Sequence, residues 1–511
     1  MALFESMLLL CLLAIALLPL SRKLSLPYPT VLAAAGLAVA AMPWSPEIAI
    51  DPQLALVLFI APALLDAAYD MPLRTLRRFW LPTVSLAAVA VILTALAVAW
   101  LGVAWKGMPW AVALALGAIV APPDAAAAAA MLSRLHLPRR TVQVLTAESL
   151  LNDAVALLLF GAAVAAGMSD RGFAETLPVM ALAIPGGLVL GFLLGRIYVV
   201  FAPRLSGTLG ATLFEFTATF GVWVVAEELH ASPILAVVAY AMVVAHHLPS
   251  KQPPRDRVHS YSVWAAIVFF GNVVAFLLLG LQARTIVGKM HGAELSQALV
   301  FAGTALAVVI AVRVAWVMLY NRVLNLAWPR RRDNPTLKQG VVASWCGMRG
   351  LVTLATALAL PAQFPSRDLI VLTALTVVVG TLVFQGSTLA LLVRWMRFGP
   401  DQSFDEELAR ARLALLDTAE EALGDDRSEA AEHLRTSYTD ARDAIASGSL
   451  PQAEQRIFAL KREGIEARRE KLHAMRRAGE IEDDVFHAIE NELDWAQLAA
   501  TSPEELEIVE G

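Results

Sequence analysis

The sequence predicts an all-α membrane protein of about thirteen transmembrane helices, followed by a soluble helical tail. Three observations lead there. Of 511 residues, 58% are hydrophobic and 17% charged, with a mean hydropathy of +0.62. Soluble globular chains run about 45–50% apolar and about 25% charged. Apolar segments of about 20 residues, long enough to span a bilayer, recur through the first 400 positions. Charge is also split: up to Pro400 there are 27 Lys and Arg against 17 Asp and Glu, and from Asp401 on 13 against 28. An ordinary soluble enzyme, a disordered chain and a nucleic-acid binder are excluded. The expected domains are a membrane domain over 1–400 and a cytoplasmic helical tail over 401–511.

The thirteen spans fall at about 3–20, 26–43, 52–69, 80–104, 109–131, 141–166, 177–201, 208–228, 232–247, 259–282, 294–321, 338–361 and 368–396. The first lacks a basic n-region and a small-residue cleavage site, so it reads as a retained helix rather than a signal peptide. The second and ninth are short, as tilted or partly interfacial helices would be. Basic residues test the count independently. One set of alternate loops holds 18 Lys and Arg, including Arg74, Arg77, Arg78, Arg139, Arg140 and Arg330–Arg332; the other set holds 5. The positive-inside rule puts the rich set and the tail in the cytoplasm and the N-terminus outside. In the tail, Glu406–Leu423 and Glu454–Ala478 carry helical spacing, broken at Gly424, Gly448 and Gly479. The two cysteines, Cys11 and Cys346, lie in apolar runs and exclude a disulfide framework or a Cys-based zinc site.

Ionisable groups deep in a bilayer are costly and mark function. The sixth span carries Glu148-Ser149-Leu150-Leu151-Asn152-Asp153. Ser149 and Asp153 are four apart and share a face. The alternative, Asp153 paired with a buried cation, lacks a spare membrane cation nearby in sequence. The fifth span carries Ala121-Pro122-Pro123-Asp124 and then six alanines. Two prolines disrupt the helix, and freed carbonyls beside a carboxylate make a hard-oxygen site for a small cation. Asp124 capping the next half-helix is compatible with that. Asp66 lies one turn inside the cytoplasmic end of the third span; the alternative for it is a helix-end carboxylate meeting cytoplasmic water. The twelfth span carries Cys346-Gly347-Met348-Arg349-Gly350. Arg349 needs a buried acid, and Glu148 is the natural candidate for a structural ion pair holding two broken helices in register. His246 and His247, at a cytoplasmic end, read more simply as surface residues. Glu215, Glu227, Glu228 and His230 flank the eighth span, the last three at its external end.

Together these segments resemble the monovalent cation:proton antiporter superfamily, in its sodium/proton exchanger branch. The string Glu148 to Asp153, its spacing from Asp124, the loop Leu135 to Arg140, the segment Trp345 to Pro361, and the helices Ala231–Met242 and Phe269–Gln282 carry the resemblance, which covers about 5–397. It implies a homodimer in a bacterial-type inner membrane. Each protomer would have a dimerisation domain and a mobile core, built from inverted repeats with two crossed broken helices. It also implies that Asp153 binds either Na⁺ or H⁺, with Asp124, Ser149, the Pro123 carbonyl and Asp66 completing the cation shell. Asn152, preceding the aspartate, implies electroneutral exchange of one Na⁺ (or Li⁺) for one H⁺, serving sodium transport and pH homeostasis. One departure stands out: the commoner pattern Thr-Asp-Pro is here Pro-Pro-Asp-Ala, with the prolines before the acid.

No cofactor is implied beyond the transported ions; the partners are membrane lipid and monovalent cations, with no nucleic acid. The same fold carrying K⁺ is the nearest alternative, and a tail-regulated sensor that no longer transports is a second. An enzyme is not expected: HExxH and Gly-x-Ser-x-Gly are absent from the sequence.

Overall fold

In the computed structural model the described residues are 2–24, 28–40, 42, 52–69, 71, 73–124, 137–168, 173–289, 292–327, 334–399, 401, 403–447, 450–478 and 480–501. They form two compact units, and the chain divides between them after Pro400. The regular structure of the first is helical throughout its described residues. A bilayer interior offers no water to backbone groups, so each segment must satisfy its own.

The helices of the first unit are α1 (Ala2–Leu24), α2 (Tyr28–Ala40), α3 (Pro52–Tyr69), α4 (Leu73–Arg78), α5 (Trp80–Lys106), α6 (Trp110–Val120) and α7 (Arg139–Met168). There follow α8 (Phe173–Phe201), α9 (Leu209–Glu228), α10 (Pro233–His247), α11 (Pro254–Lys289), α12 (Ala293–Ala327), α13 (Leu337–Trp345), α14 (Leu351–Leu358) and α15 (Arg367–Met396). Each expected span therefore holds a helix. By length and composition, seven of the described helices can cross a membrane, and five shorter apolar ones accompany them.

Two expected spans are interrupted. α6 stops at Val120, and Ala121–Asp124 is non-helical. The alanine run after Asp124 lies outside the described residues. The span expected at 338–361 is α13 and α14, separated by Cys346–Gly350. α5 contains a π-helical stretch at Ser85–Ala90. It ends at Gly107, whose left-handed conformation (φ +63°) folds the chain back so that the Met108 N–H reaches the Gly102 carbonyl at 3.3 Å.

Close backbone approach fixes the packing. Gly187, Gly191 and Gly195 line one stripe of α8 against α10, and a methyl group on Gly191 would collide with the Ala236 backbone. α10 starts cleanly because Ser232 accepts the Leu235 N–H and Pro233 follows it. α2 lies along α11, where Tyr28 stacks on Phe269 at 5.6 Å while its hydroxyl donates to the Ala14 carbonyl. Large apolar side chains point outward along α8, Val189, Phe192, Leu193 and Ile197 among them. Water would penalise that surface; a bilayer or another apolar face accepts it.

The second unit comprises α16 (Ser403–Ala422), α17 (Glu429–Ala446), α18 (Leu450–Arg477) and α19 (Asp483–Ala499). Gly424, in a left-handed turn (φ +51°), separates the first two; Gly448 and Gly479 fall outside the described residues. Arg442 of α17 reaches Asp417 and Glu420 of α16 at 2.7 and 2.8 Å. Ile465 and Leu472 of α18 bury against Phe486 and Leu493 of α19.

Candidate functional site

The two interruptions lie against each other. The Asp124 N–H donates to the Met348 carbonyl at 2.6 Å. The Asp124 carboxylate accepts the Leu351 N–H at 2.9 Å, at the first residue of α14. It therefore caps that half-helix, where the N-terminal dipole favours negative charge. Gly350 has no room for a side chain, since a Cβ would run into that carboxylate.

Arg349 completes the junction from the other side. Its Nε and Nη2 donate to the Val120 and Ala121 carbonyls, each at 3.1 Å, and Nη1 donates to the Gly347 carbonyl. Its own N–H is held by Thr381 of α15 at 3.0 Å. These are the carbonyls that the end of α6 leaves without helical donors. A guanidinium there satisfies both the hydrogen bonding and the negative end of the helix dipole.

The expected Glu148–Arg349 ion pair is not formed. Glu148 instead takes Arg313 of α12 in a two-pronged pair, Nη1 to Oε1 at 2.5 Å and Nη2 to Oε2 at 3.0 Å. Nη2 also reaches the Ala343 carbonyl at 3.0 Å. Both side chains are almost wholly buried. The reason is geometric: the Arg349 fork is occupied by carbonyls, and Arg313 passes so close to Gly347 that a side chain there would collide with it. Sequence reasoning missed Arg313. Its signal was present, an arginine inside the apolar run Ala307-Val308-Val309-Ile310-Ala311-Val312 and Val314-Ala315-Trp316.

α7 brings its polar residues to the same junction. Asn152, fully buried, donates from Nδ2 to the Pro123 carbonyl at 2.7 Å. That carbonyl, expected to face a cation, thus already accepts one bond, though an oxygen of this type has a second lone pair. Asn152 Oδ1 is buried with no hydrogen-bond partner among the described residues. Asp153 follows it, 8% exposed, with Asp124 close enough for the two charges to interact. Ser149 sits one turn earlier on α7, half-buried. Asp66, half-buried on α3, lines a cavity of about 30 Å³ with Tyr69, Glu215, Arg257, Ser260 and Trp264. Glu215 there accepts the Ser260 hydroxyl at 2.8 Å.

Chemically, the junction offers two carboxylates, an unpartnered amide oxygen and a carbonyl with spare capacity. All are hard oxygen donors, which suit a small cation, and one carboxylate can take a proton in its place.

The chain matches the family described as "Sodium/hydrogen exchanger, transmembrane" over residues 8–395. It is 29% identical to an uncharacterised Na⁺/H⁺ exchanger of Mycobacterium tuberculosis, over 94% of this chain and 93% of that one. It is 28% identical to a sodium, potassium, lithium and rubidium/H⁺ antiporter of Bacillus pumilus, over 79% of this chain and 63% of that one. Its fold matches the sodium proton antiporter MjNhaP1 of Methanocaldococcus jannaschii with a TM-score of 0.61 at 17% identity, covering 78% of this chain and 99% of that one. With the family model matched over most of its length, the chain belongs to the transmembrane sodium/hydrogen exchanger family of antiporters.

Proposed function

We propose that the protein exchanges one Na⁺ (or Li⁺) for one H⁺, the two competing for the Asp153 carboxylate. The observation that carries this reading is the Asn152–Pro123 hydrogen bond. It ties α7 to the break after α6 and leaves the Asn152 amide oxygen buried without a donor among the described residues. In this reading Asp124, Ser149 and the Pro123 carbonyl complete the cation shell, while Asp66, which lines a separate small cavity with Tyr69 and Glu215, stays outside it.

Charge balance supports electroneutral exchange. Glu148 and Arg313 neutralise each other. Arg349 and Asp124 contribute one charge of each sign to the junction. Asp153 is left over, and one monovalent cation or one proton cancels it. An uncancelled charge crosses low-dielectric surroundings at a cost of several kcal/mol, so movement of the empty, ionised site is suppressed and exchange becomes obligatory. The remaining parts of this reading are a homodimer, alternating access by a mobile core, inverted repeats, and an inner-membrane setting with the N-terminus outside and the tail cytoplasmic.

The test is proton flux in proteoliposomes under Na⁺, Li⁺ and K⁺ gradients, with and without a collapsed membrane potential. Flux with Na⁺ that ignores the potential is expected, and Asp153→Asn should fold and lose it. Appreciable Na⁺-driven flux in that variant would sink the assignment. A second reading, K⁺/H⁺ exchange at the same site, is favoured by the Bacillus pumilus relative, whose name includes potassium. Flux with K⁺ and not Na⁺ would select it.

A further inference from the structure

A second cavity lies away from the α6–α14 junction, and nothing in the exchange reaction uses it. It encloses about 280 Å³ where the end of α4 and the start of α5 face the first turn of α7, the far part of α12 and the start of α13. Its wall is mostly apolar, Leu145, Val317 and Leu324 included. Among the described residues, the charged groups on that wall are Arg78 and Arg140. Both guanidiniums stack on the Phe79 ring, at 5.3 and 5.4 Å from its centre. The ring is buried, so it holds the two cations near one another at the cavity.

Two polar atoms on the same wall are buried without a partner: Asn321 Nδ2 and Thr141 Oγ1. Their side chains are on residues 7% and 6% exposed. A buried donor without a partner is costly, and a ligand acceptor relieves it. Gly340 makes room for the Asn321 amide, since a Cβ there would collide with Nδ2. Thr141 and Arg140 also sit in the first turn of a 30-residue helix, where the dipole favours an anion. The amide N–H₂, the hydroxyl and the helix start ask for acceptor oxygens, and the two guanidiniums add positive charge beside them. The apolar wall asks for hydrocarbon.

We propose that this cavity binds an anionic phospholipid, its phosphate held between Arg78 and Arg140 and its acyl chain lying on Leu145, Val317 and Leu324. Free phosphate satisfies only the polar half. The exposed Trp80 beside the cavity marks the headgroup depth at which tryptophans gather. Basic pockets between helices are a known means of capturing such headgroups.

The test uses the full-length protein, purified in detergent and analysed by native mass spectrometry and thermal unfolding. It is supplied in turn with phosphatidylglycerol, phosphatidylcholine and inorganic phosphate. Phosphatidylglycerol should be retained and should raise the unfolding temperature more than either of the others. Arg78→Gln/Arg140→Gln should lower its retention by about tenfold or more. Thr141→Val should lower it severalfold. Arg78→Lys/Arg140→Lys should keep part of it, since lysine retains charge without the planar fork. Arg74→Gln/Arg77→Gln, on the same short helix but off the cavity wall, should change nothing. Should the glutamine pair fail to fold, the Thr141 and lysine variants decide. Retention unaffected by the wall variants, or equally reduced by the off-wall pair, overturns the proposal. Stabilisation by inorganic phosphate equal to that by phosphatidylglycerol overturns it in favour of a free-anion site.

Discussion

Arg313 and Arg349 carry the same charge into the membrane unit and meet different partners. Arg313 meets a carboxylate, Arg349 the free carbonyls of a stopped helix. Their removal should therefore fail in different ways. Arg313→Met leaves Glu148 buried and unpaired, at a cost of about 3–5 kcal/mol. Adding Glu148→Leu should recover most of that, because the orphan charge goes with it. Arg349→Met strips donors from the Val120 and Ala121 carbonyls, at about 1–3 kcal/mol for each buried group left unsatisfied, and Glu148→Leu should rescue none of it. Thermal unfolding of the single and double variants measures both couplings. A strong 148–349 coupling with none at 148–313 would reverse the assignment of partners. Asn152 makes a related case. Asn152→Leu removes both the donor to the Pro123 carbonyl and the amide oxygen beside Asp153. Stability should fall by about 1–3 kcal/mol, and the Na⁺ concentration for half-maximal flux should rise, read in the same proteoliposomes.

At the scale of elements, the two breaks stabilise each other. α14 begins where Asp124 accepts its first N–H, and α6 ends where Arg349 takes its last carbonyls. Asp124 thus has two separable duties, capping and charge. Asp124→Asn keeps an oxygen for the Leu351 N–H and loses the charge. It should unfold within a few degrees of the parent while Na⁺-driven flux drops by at least about tenfold, as removal of a charged ligand does. Gly350→Ala drives a methyl group into that carboxylate, so stability and flux should fall together, the lost cap alone costing about 0.5–2 kcal/mol. If Asp124→Asn destabilised as much as Gly350→Ala and left flux intact, the cap would be the whole of its role.

The same elements show what was legible in the sequence. Apolar length set the helices, because a membrane segment is written in consecutive residues: every expected span holds one, and the ends of α3, α9 and α10 fall within a residue of expectation. The interruption after α6 was legible too, from Pro122-Pro123. Partnership was not. Glu148 and Arg313 are 165 positions apart, and no periodicity encodes which of two buried arginines turns toward an acid. The fork of Arg349 was committed by carbonyls that exist only because α6 stops, a tertiary fact. The constraint on Gly350 is likewise tertiary, the neighbouring Asp124 carboxylate.

At the scale of the whole molecule, the chain divides its charge and its cores together. The residues up to Pro400 carry ten more basic than acidic groups, and those from Asp401 carry fifteen more acidic than basic; the compact units part at the same point. The second unit has its own apolar contacts, Ile465 and Leu472 against Phe486 and Leu493, and its own bridges between helices, Arg469 to Asp494 at 2.6 Å and Arg476 to Asp483 at 2.8 Å. The carboxylates proposed to bind cation and proton, Asp153 and Asp124, lie in the first unit. Truncation after Pro400 should therefore leave Na⁺-driven, Asp153-dependent flux in place. What the tail adds, if it regulates, is control over when that flux runs, so the truncated protein should differ from the full chain in its flux-against-pH profile or in dimer stability. Loss of all flux in a truncated protein that still unfolds cooperatively would show that the first unit does not contain the complete exchange machinery. An unchanged pH profile and dimer stability would remove the tail from regulation, and its acidic helices would then need a partner outside this chain.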